Sequence, residues 1–194
     1  MTATTHPTEG LGPDGPTPGF ESTGFSPEPG VTRVDVPLGR RVMVVSDLLL
    51  TPEATPTSTA VSAEVARALD TWDGPGILII AGNLFDLTDC ESPASEIQRA
   101  LGAHPTLGGA LARFAGVDER RVIRQTGTHE PGLAGDPDIL EAMKARGVEQ
   151  LGPVDLHLHT ATGVRVVRVE PGEHAYAAGC SGPCLLYTSP SPRD

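Results

Sequence analysis

Aromatic residues are scarce in this chain, and their scarcity limits the kind of core that it builds. Only 4% of its 194 residues are Phe, Trp or Tyr, whereas 38% are hydrophobic. A chain of this length has room for one domain with a substantial core. We therefore predict a single core of aliphatic residues, mainly Val, Leu, Ile and Ala.

Basic residues and long apolar runs are also lacking. Fourteen Lys and Arg oppose 25 Asp and Glu, which gives a formal net charge of −11. Nucleic acids and anionic membranes attract basic surfaces, so we expect neither as a partner. No apolar run approaches the roughly 20 residues of a membrane-spanning helix. The first residues, MTATTHPTEG, have neither the basic nor the apolar part of a signal peptide, so we expect a cytoplasmic location.

Cysteine is too sparse to form a framework. Cys90, Cys180 and Cys184 are the three cysteines, and without a second pair the C-x3-C spacing of the last two does not indicate a zinc site.

The composition changes at both ends of the chain. Residues 1–37 are rich in Pro, Gly, Thr and Glu without a hydrophobic period, so we expect a disordered tail. The last eleven residues, CLLYTSPSPRD, match one reading frame of a common transposase sequencing adapter, so we expect 184–194 to be adapter-derived. The intervening residues 38–183 are expected to form one incomplete domain.

Apolar periodicity predicts alternating strands and helices in the first part of the domain. We predict strands over Val42–Ser46, Ile77–Ala81 and Val122–Gln125, parallel to one another because helices connect them. Ser58 is the predicted cap of the first helix, and Asp136-Pro137 opens the last one. Further helices are predicted from Ser92-Pro93 and over about Thr106–Ala115.

The later segments Val154–Thr160 and Val164–Glu170 alternate apolar and polar residues instead. This pattern predicts an antiparallel hairpin with one solvated face.

Three apolar blocks end in small and polar residues at intervals of about forty residues. They are RVMVVSDLLL (Arg41–Leu50), GILIIAGNLFDL (Gly76–Leu87) and RVIRQTGTHE (Arg121–Glu130). The carboxyl ends of parallel strands meet at one edge of a sheet, where α/β proteins bind ligands. The three blocks therefore predict one site assembled from three loops.

In order and strand context, these blocks resemble the first three motifs of the calcineurin-like metallophosphoesterases, roughly SDxHL, GDLxD and GNH(D/E). The resemblance spans about Arg41 to Glu130. It implies an α/β sandwich with mixed sheets, here truncated before its last strands. It also implies a centre of divalent metal ions (Mn, Fe, Zn or Mg) that hydrolyses a small phosphorylated substrate.

The resemblance carries metal ligands over residue by residue. Asp47 stands at the first aspartate ligand, and Asn83 stands at the metal-bridging aspartate, where its amide brings no negative charge. Thr128 replaces an asparagine ligand and offers only a hydroxyl. Leu49 stands where the family has a histidine ligand, and its side chain has no lone pair to donate.

The resemblance also assigns histidines and acidic neighbours. His129 matches the histidine that assists the phosphoryl oxygens or the leaving group, so it is the expected catalytic residue. His174 lies near the family's fourth motif and is the expected late metal ligand. Asp86 and Glu130 stand at family-like acidic positions just outside the ligands.

Several interpretations stay open at this point. The leading interpretation is a metal-dependent hydrolase of a phosphate ester or pyrophosphate. The alternatives are a catalytically degenerate relative that serves as a binding or interaction module, and a stable domain without a site. His157 and His159 share one face of the predicted hairpin and form either a metal pair or a solvated pair. An active enzyme predicts room for an ion between Asp47, Asn83 and His129, whereas a degenerate one predicts that Leu49 fills that volume.

Overall fold

The computed structural model describes residues 30–88, 91–130 and 133–172. They form a mixed α/β fold with two sheets and four helices. The strands are β1 (Thr32–Val36), β2 (Arg41–Val45), β3 (Gly76–Ala81), β4 (Arg120–Gln125), β5 (Val148–Gln150), β6 (Val154–Thr160) and β7 (Gly163–Val169). The helices are α1 (Pro56–Asp70), α2 (Pro93–Ala103), α3 (Pro105–Ala115) and α4 (Pro137–Lys144), with a 3₁₀ turn at Leu133–Gly135.

The first sheet has the strand order β2-β3-β4-β5, and all its strands are parallel. This confirms the three predicted parallel strands. The second sheet has the order β1-β6-β7, in which β1 is parallel to β6 and β6 is antiparallel to β7. The predicted hairpin is therefore confirmed, and the second sheet is mixed.

Helices cover one face of the parallel sheet and the mixed sheet covers the other. Strand β3 shows this arrangement within four residues, because Leu78 and Ile80 pack among the helices while Ile77 and Ile79 pack against the mixed sheet. All four side chains are at most 2% exposed. Burial on both faces explains why this strand is a continuous apolar run.

The start of α1 differs from the prediction. Thr55, not Ser58, is the N-cap, and Ser58 is its partner three residues later in a capping box. The Ser58 backbone N–H donates to Oγ1 of Thr55 over 3.0 Å, and the Thr55 N–H donates to Oγ of Ser58 over 2.9 Å. The prediction was wrong because either hydroxyl residue is a suitable cap, and Pro56 at the first helical position decides between them. The predicted cap of α4 is confirmed, since Asp136 accepts from the N–H groups of Asp138 and Ile139.

Strand β1 lies inside the segment that we expected to be disordered, so that expectation is wrong for residues 32–36. Val34 and Val36 are 2% and 3% exposed between the two sheets. The five residues of β1 pair with β6, which lies more than a hundred residues further along the chain. The Pro- and Gly-rich segment around β1 has no local hydrophobic period that would indicate this pairing.

Other predictions fall on residues outside the described ranges. They concern most of the N-terminal tail, the segment 184–194, His174 and the three cysteines. Across the described part of the chain, no helix is both long enough and apolar enough to cross a membrane.

Candidate functional site

The loops after β2, β3 and β4 lie together because these strands are parallel neighbours. Asp47 follows β2, Asn83 follows β3, and Thr128 and His129 follow β4. The first two loops also pair through their backbones. The N–H of Leu49 donates to the carbonyl of Asn83 over 3.0 Å, and the N–H of Leu50 donates to that of Leu84 over 2.9 Å. The predicted convergence of the three blocks at one sheet edge is confirmed.

The side-chain amide of Asn83 connects all three loops. Its Nδ2 donates to Oδ1 of Asp47 over 2.8 Å, and its Oδ1 accepts from the backbone N–H of His129 over 3.0 Å. The two bonds define which end of the amide is which, because a flipped amide would set donor against donor at His129. Asn83 has a φ of +45°, a left-handed conformation that Asn tolerates better than most residues.

Gly127 leaves the room that the Asn83 side chain occupies. A Cβ added to Gly127 would lie 2.5 Å from Cγ of Asn83 and 2.6 Å from its backbone nitrogen, and it would overlap Oδ1. These distances are far below van der Waals contact. The third block therefore needs glycine before Thr128-His129 so that Asn83 can reach the backbone of the β4 loop.

An open cleft of about 810 Å³ lies at this edge. Asp47, Asn83 and Thr128 line it from the parallel sheet, and Arg168 and Glu170 line it from the end of β7. Gln125, fully buried at the end of β4, holds that segment in place, since its Nε2 donates to the carbonyl of Val169 over 2.9 Å.

Arg168 and Glu170 were not among the expected site residues. The alternation of the hairpin predicts which of its residues share a face, but nothing local indicates that its second strand ends at the parallel sheet's edge. Arg168 also pairs with Asp155 on β6, with Nε 2.9 Å from Oδ1 and Nη2 3.1 Å from Oδ2. These hydrogen bonds lower the pKa of Asp155.

The imidazole of His129 belongs to a different group of side chains. Its Nδ1 lies 3.1 Å from Oγ1 of Thr88 and 3.3 Å from Oδ1 of Asp86. The hydrogen bond from Thr88, and to a smaller extent the one from His129, lowers the pKa of Asp86. His129 is not one of the described residues that line the cleft. It contributes to the site through its backbone N–H, which donates to the Asn83 amide.

Leu49, which the resemblance sets at the position of a histidine ligand, does not fill the cleft. Its side chain is 37% exposed, and it is not one of the described residues that line the cleft. Its backbone is left-handed, with a φ of +46°. The expectation that Leu49 fills a degenerate site is therefore wrong. The room expected for an ion in an active enzyme is not found either, because Asn83 bonds directly to Asp47 and the His129 imidazole does not line the cleft.

Glu130 does not line the cleft; it is buried beneath the loops that follow β3 and β4 and bonds to both of them. Its carboxylate is fully buried, 2.5 Å from Nη2 of Arg124. Oε1 accepts the N–H of Phe85 over 2.9 Å, and Oε2 accepts the N–H of Gly127 over 3.2 Å. Glu130 therefore ties the β3 loop to the β4 loop. Burial lowers the pKa of Arg124, and the charge of Glu130 opposes that effect.

The donor set of the cleft does not fit the two-ion centre that the resemblance implies. It offers the carboxylates of Asp47 and Glu170, the amide of Asn83 and the hydroxyls of Ser46 and Thr128. The amide turns its N–H rather than its oxygen toward Asp47. Within residues 30–88, 91–130 and 133–172, no group of three or more His, Cys, Asp or Glu side chains is arranged to hold a metal ion. His157 and His159 do not line the cleft; Nε2 of His159 lies 3.4 Å from Oδ1 of Asp35.

No protein-family model, no curated protein and no solved structure matches this chain. Its functional assignment therefore depends on the site itself.

Proposed function

We propose that this chain is a catalytically degenerate metallophosphoesterase-like domain whose cleft binds a small phosphorylated ligand. The two facing sheets, the flanking helices and the order of the three site loops support a metallophosphoesterase-type α/β sandwich. The observation that carries the proposal is the hydrogen bond between Asn83 and Asp47.

In the family pattern, a cation lies between carboxylates from these two loops and offsets their repulsion. Here the amide of Asn83 brings no charge, and its Nδ2 donates directly to the Asp47 carboxylate. The hydrogen bond connects the loops without an ion. The site architecture is thus retained, whereas the electrostatic need for a bridging cation is lost.

The charges of the cleft indicate how a phosphorylated ligand binds. The hydroxyl of Thr128 suits phosphate oxygens, and so does the guanidinium of Arg168, whose charge is shared with Asp155; Asp47 and Glu170 repel an anion. A divalent cation that accompanies the phosphate offsets this repulsion. We therefore propose a small phosphate ester or pyrophosphate bound together with at most one weakly held divalent ion such as Mn²⁺ or Mg²⁺.

Calorimetric titration with pyrophosphate tests this proposal, in EDTA and in millimolar Mn²⁺. We expect binding only with Mn²⁺, at least tenfold weaker binding in Arg168→Gln, and no change in Glu149→Gln, a control on the exposed side of β5. The proposal also expects no hydrolysis of p-nitrophenyl phosphate above background. Pyrophosphate binding that is independent of Mn²⁺, or no binding under either condition, would refute it.

Metal-dependent hydrolysis of a phosphate ester is the second candidate. It is favoured by the convergence of Asp47, Asn83 and Thr128 at an open cleft, with the His129–Asp86 pair on the adjoining loops. In this case the wild-type protein releases phosphate in Mn²⁺, and Asp47→Asn abolishes the release. Turnover that disappears in Asp47→Asn would replace the degenerate assignment with the hydrolytic one.

A further inference from the structure

The cleft that contains the proposed phosphate site also has an apolar wall. The apolar residues that line it come from the ends of β2, β3 and β7, and they are Val44, Val45, Ala81 and Val169. Binding of a phosphate group and a divalent ion uses only the polar residues of the cleft. The apolar wall is therefore left to contact the rest of the ligand.

Val44 shows that this wall is accessible. It pairs in register with Ile79 of β3, so both side chains lie on the face of the parallel sheet that is turned toward the mixed sheet. Ile79 is fully buried there, whereas Val44 is 47% exposed. The difference arises because β2 is an edge strand, and no described strand lies beyond it in its sheet. An inward-facing valine is thus left open to the cleft.

The apolar wall and the polar loop are close enough to contact one small molecule. Asp47 follows Val44 by three residues, and such a stretch spans at most about 10 Å even when it is fully extended. Both residues line the cleft. The side chain of Val44 offers only carbon, so a hydroxyl group placed against it would lose water without gaining a hydrogen bond, which is costly. A hydrocarbon group has no such cost and gains from the contact.

We propose that the ligand of this cleft is a phosphate ester of an apolar alcohol, such as an aryl phosphate, whose hydrocarbon group packs on Val44. This inference rests on the proposed function, because the phosphate and its divalent ion must bind beside Asp47 and Thr128. It narrows the ligand class, since esters of sugars and other polyols would set hydroxyl groups against carbon. The hydrocarbon group is small, because the cleft of about 810 Å³ also holds the phosphate.

Three phosphate monoesters test the ligand class: methyl phosphate, glycerol 3-phosphate and phenyl phosphate. At pH 7.5 all three are mainly dianions, so they bring nearly the same charge to the cleft. In millimolar Mn²⁺, we expect calorimetry to show that phenyl phosphate binds the full chain about tenfold more tightly than methyl phosphate. A tenfold gain corresponds to roughly 55 Å² of apolar surface removed from water. Glycerol 3-phosphate should bind no more tightly than methyl phosphate, although it is larger.

Two exposed valines on edge strands provide a variant and its matched control. Val44→Asn places an amide on the wall of the cleft. Val166→Asn makes the same change on β7, where the valine is 41% exposed and does not line the cleft. We expect the ratio of phenyl phosphate affinity to methyl phosphate affinity to fall from about ten to about two in Val44→Asn and to stay near ten in Val166→Asn. In the wild-type protein, the phenyl protons should show nuclear Overhauser effects to the methyl groups of Val44.

Failure of this inference is distinct from failure of the proposed function. Equal affinities for phenyl phosphate and methyl phosphate in Mn²⁺, or a ratio that is unchanged in Val44→Asn, would refute the apolar contact while phosphate binding stands. Absence of the nuclear Overhauser effects would refute that contact even if thermal unfolding showed that Val44→Asn does not fold. Undetectable binding of all three esters would refute the phosphate site and this inference together.

Discussion

Asn83 donates from its Nδ2 to Oδ1 of Asp47 over 2.8 Å, and this contact joins residues 36 positions apart in the sequence. The same amide accepts from the backbone N–H of His129, so one neutral side chain connects the loops after β2, β3 and β4. The residues that the resemblance sets at metal-ligand positions are therefore joined by hydrogen bonds through Asn83.

Gly127→Ala should loosen this connection. The added methyl group overlaps the Asn83 amide, so the β4 loop must move and the bond from His129 lengthens. We expect a loss of about 1–3 kcal/mol in the free energy of unfolding, the usual cost of overpacking. Urea denaturation measures it. Gly102→Ala is the control, because a Cβ there meets nothing within 4 Å, and it should leave stability unchanged or slightly higher. Equal stabilities of the two variants would show that Gly127 is not required.

Glu130→Gln should be much more costly than a matched change at the surface. It leaves the charge of Arg124 buried without its partner, which costs about 3–5 kcal/mol in typical proteins. The control is Glu149→Gln, which breaks the half-exposed pair with Arg121 and should cost at most about 1 kcal/mol. Urea denaturation compares the two. A Glu130→Gln variant as stable as Glu149→Gln would contradict the structural role of this pair.

Asp155 should make stability depend on acid. Hydrogen bonds from Arg168 lower its pKa in the folded state, whereas the pKa of an unfolded Asp is about 3.9. The stabilisation is therefore fully present above about pH 4 and is lost as pH falls through the lowered folded pKa. We expect Asp155→Asn to be less stable at pH 7 and to show a flatter stability profile below pH 4, measured by thermal unfolding. Asp118→Asn, at an exposed position, should keep the wild-type profile; a steep profile in Asp155→Asn would contradict this assignment.

Much of the fold could be predicted because its signals are local. Strands β2, β3 and β4 are apolar runs, and the hairpin of β6 and β7 alternates with a period of two, so each shows in a short window. Strand β1 has no such local signal, since its five residues form a strand only by pairing with β6.

The site was predicted in part, for a similar reason. The strand-end positions of Asp47, Asn83 and Thr128 follow from the parallel sheet. Arg168 and Glu170 enter the cleft only through the packing of one sheet on the other, which no local pattern records. The direction of the His129 imidazole and the left-handed backbone of Leu49 likewise depend on how the loops pair.

The central claim is that the Asn83 amide replaces a bridging cation, and Asn83→Asp tests it most directly. The variant sets a second carboxylate against Asp47, so in EDTA it should lose about 1–3 kcal/mol relative to wild type. Asn83→Ala, which removes both side-chain bonds and adds no charge, is the control. The measurement is the free energy of unfolding of all three proteins in EDTA and in millimolar Mn²⁺. We expect Mn²⁺ to restore the stability of Asn83→Asp and to leave wild type and Asn83→Ala unchanged. A wild-type protein that gains as much stability from Mn²⁺ as Asn83→Asp would contradict the claim.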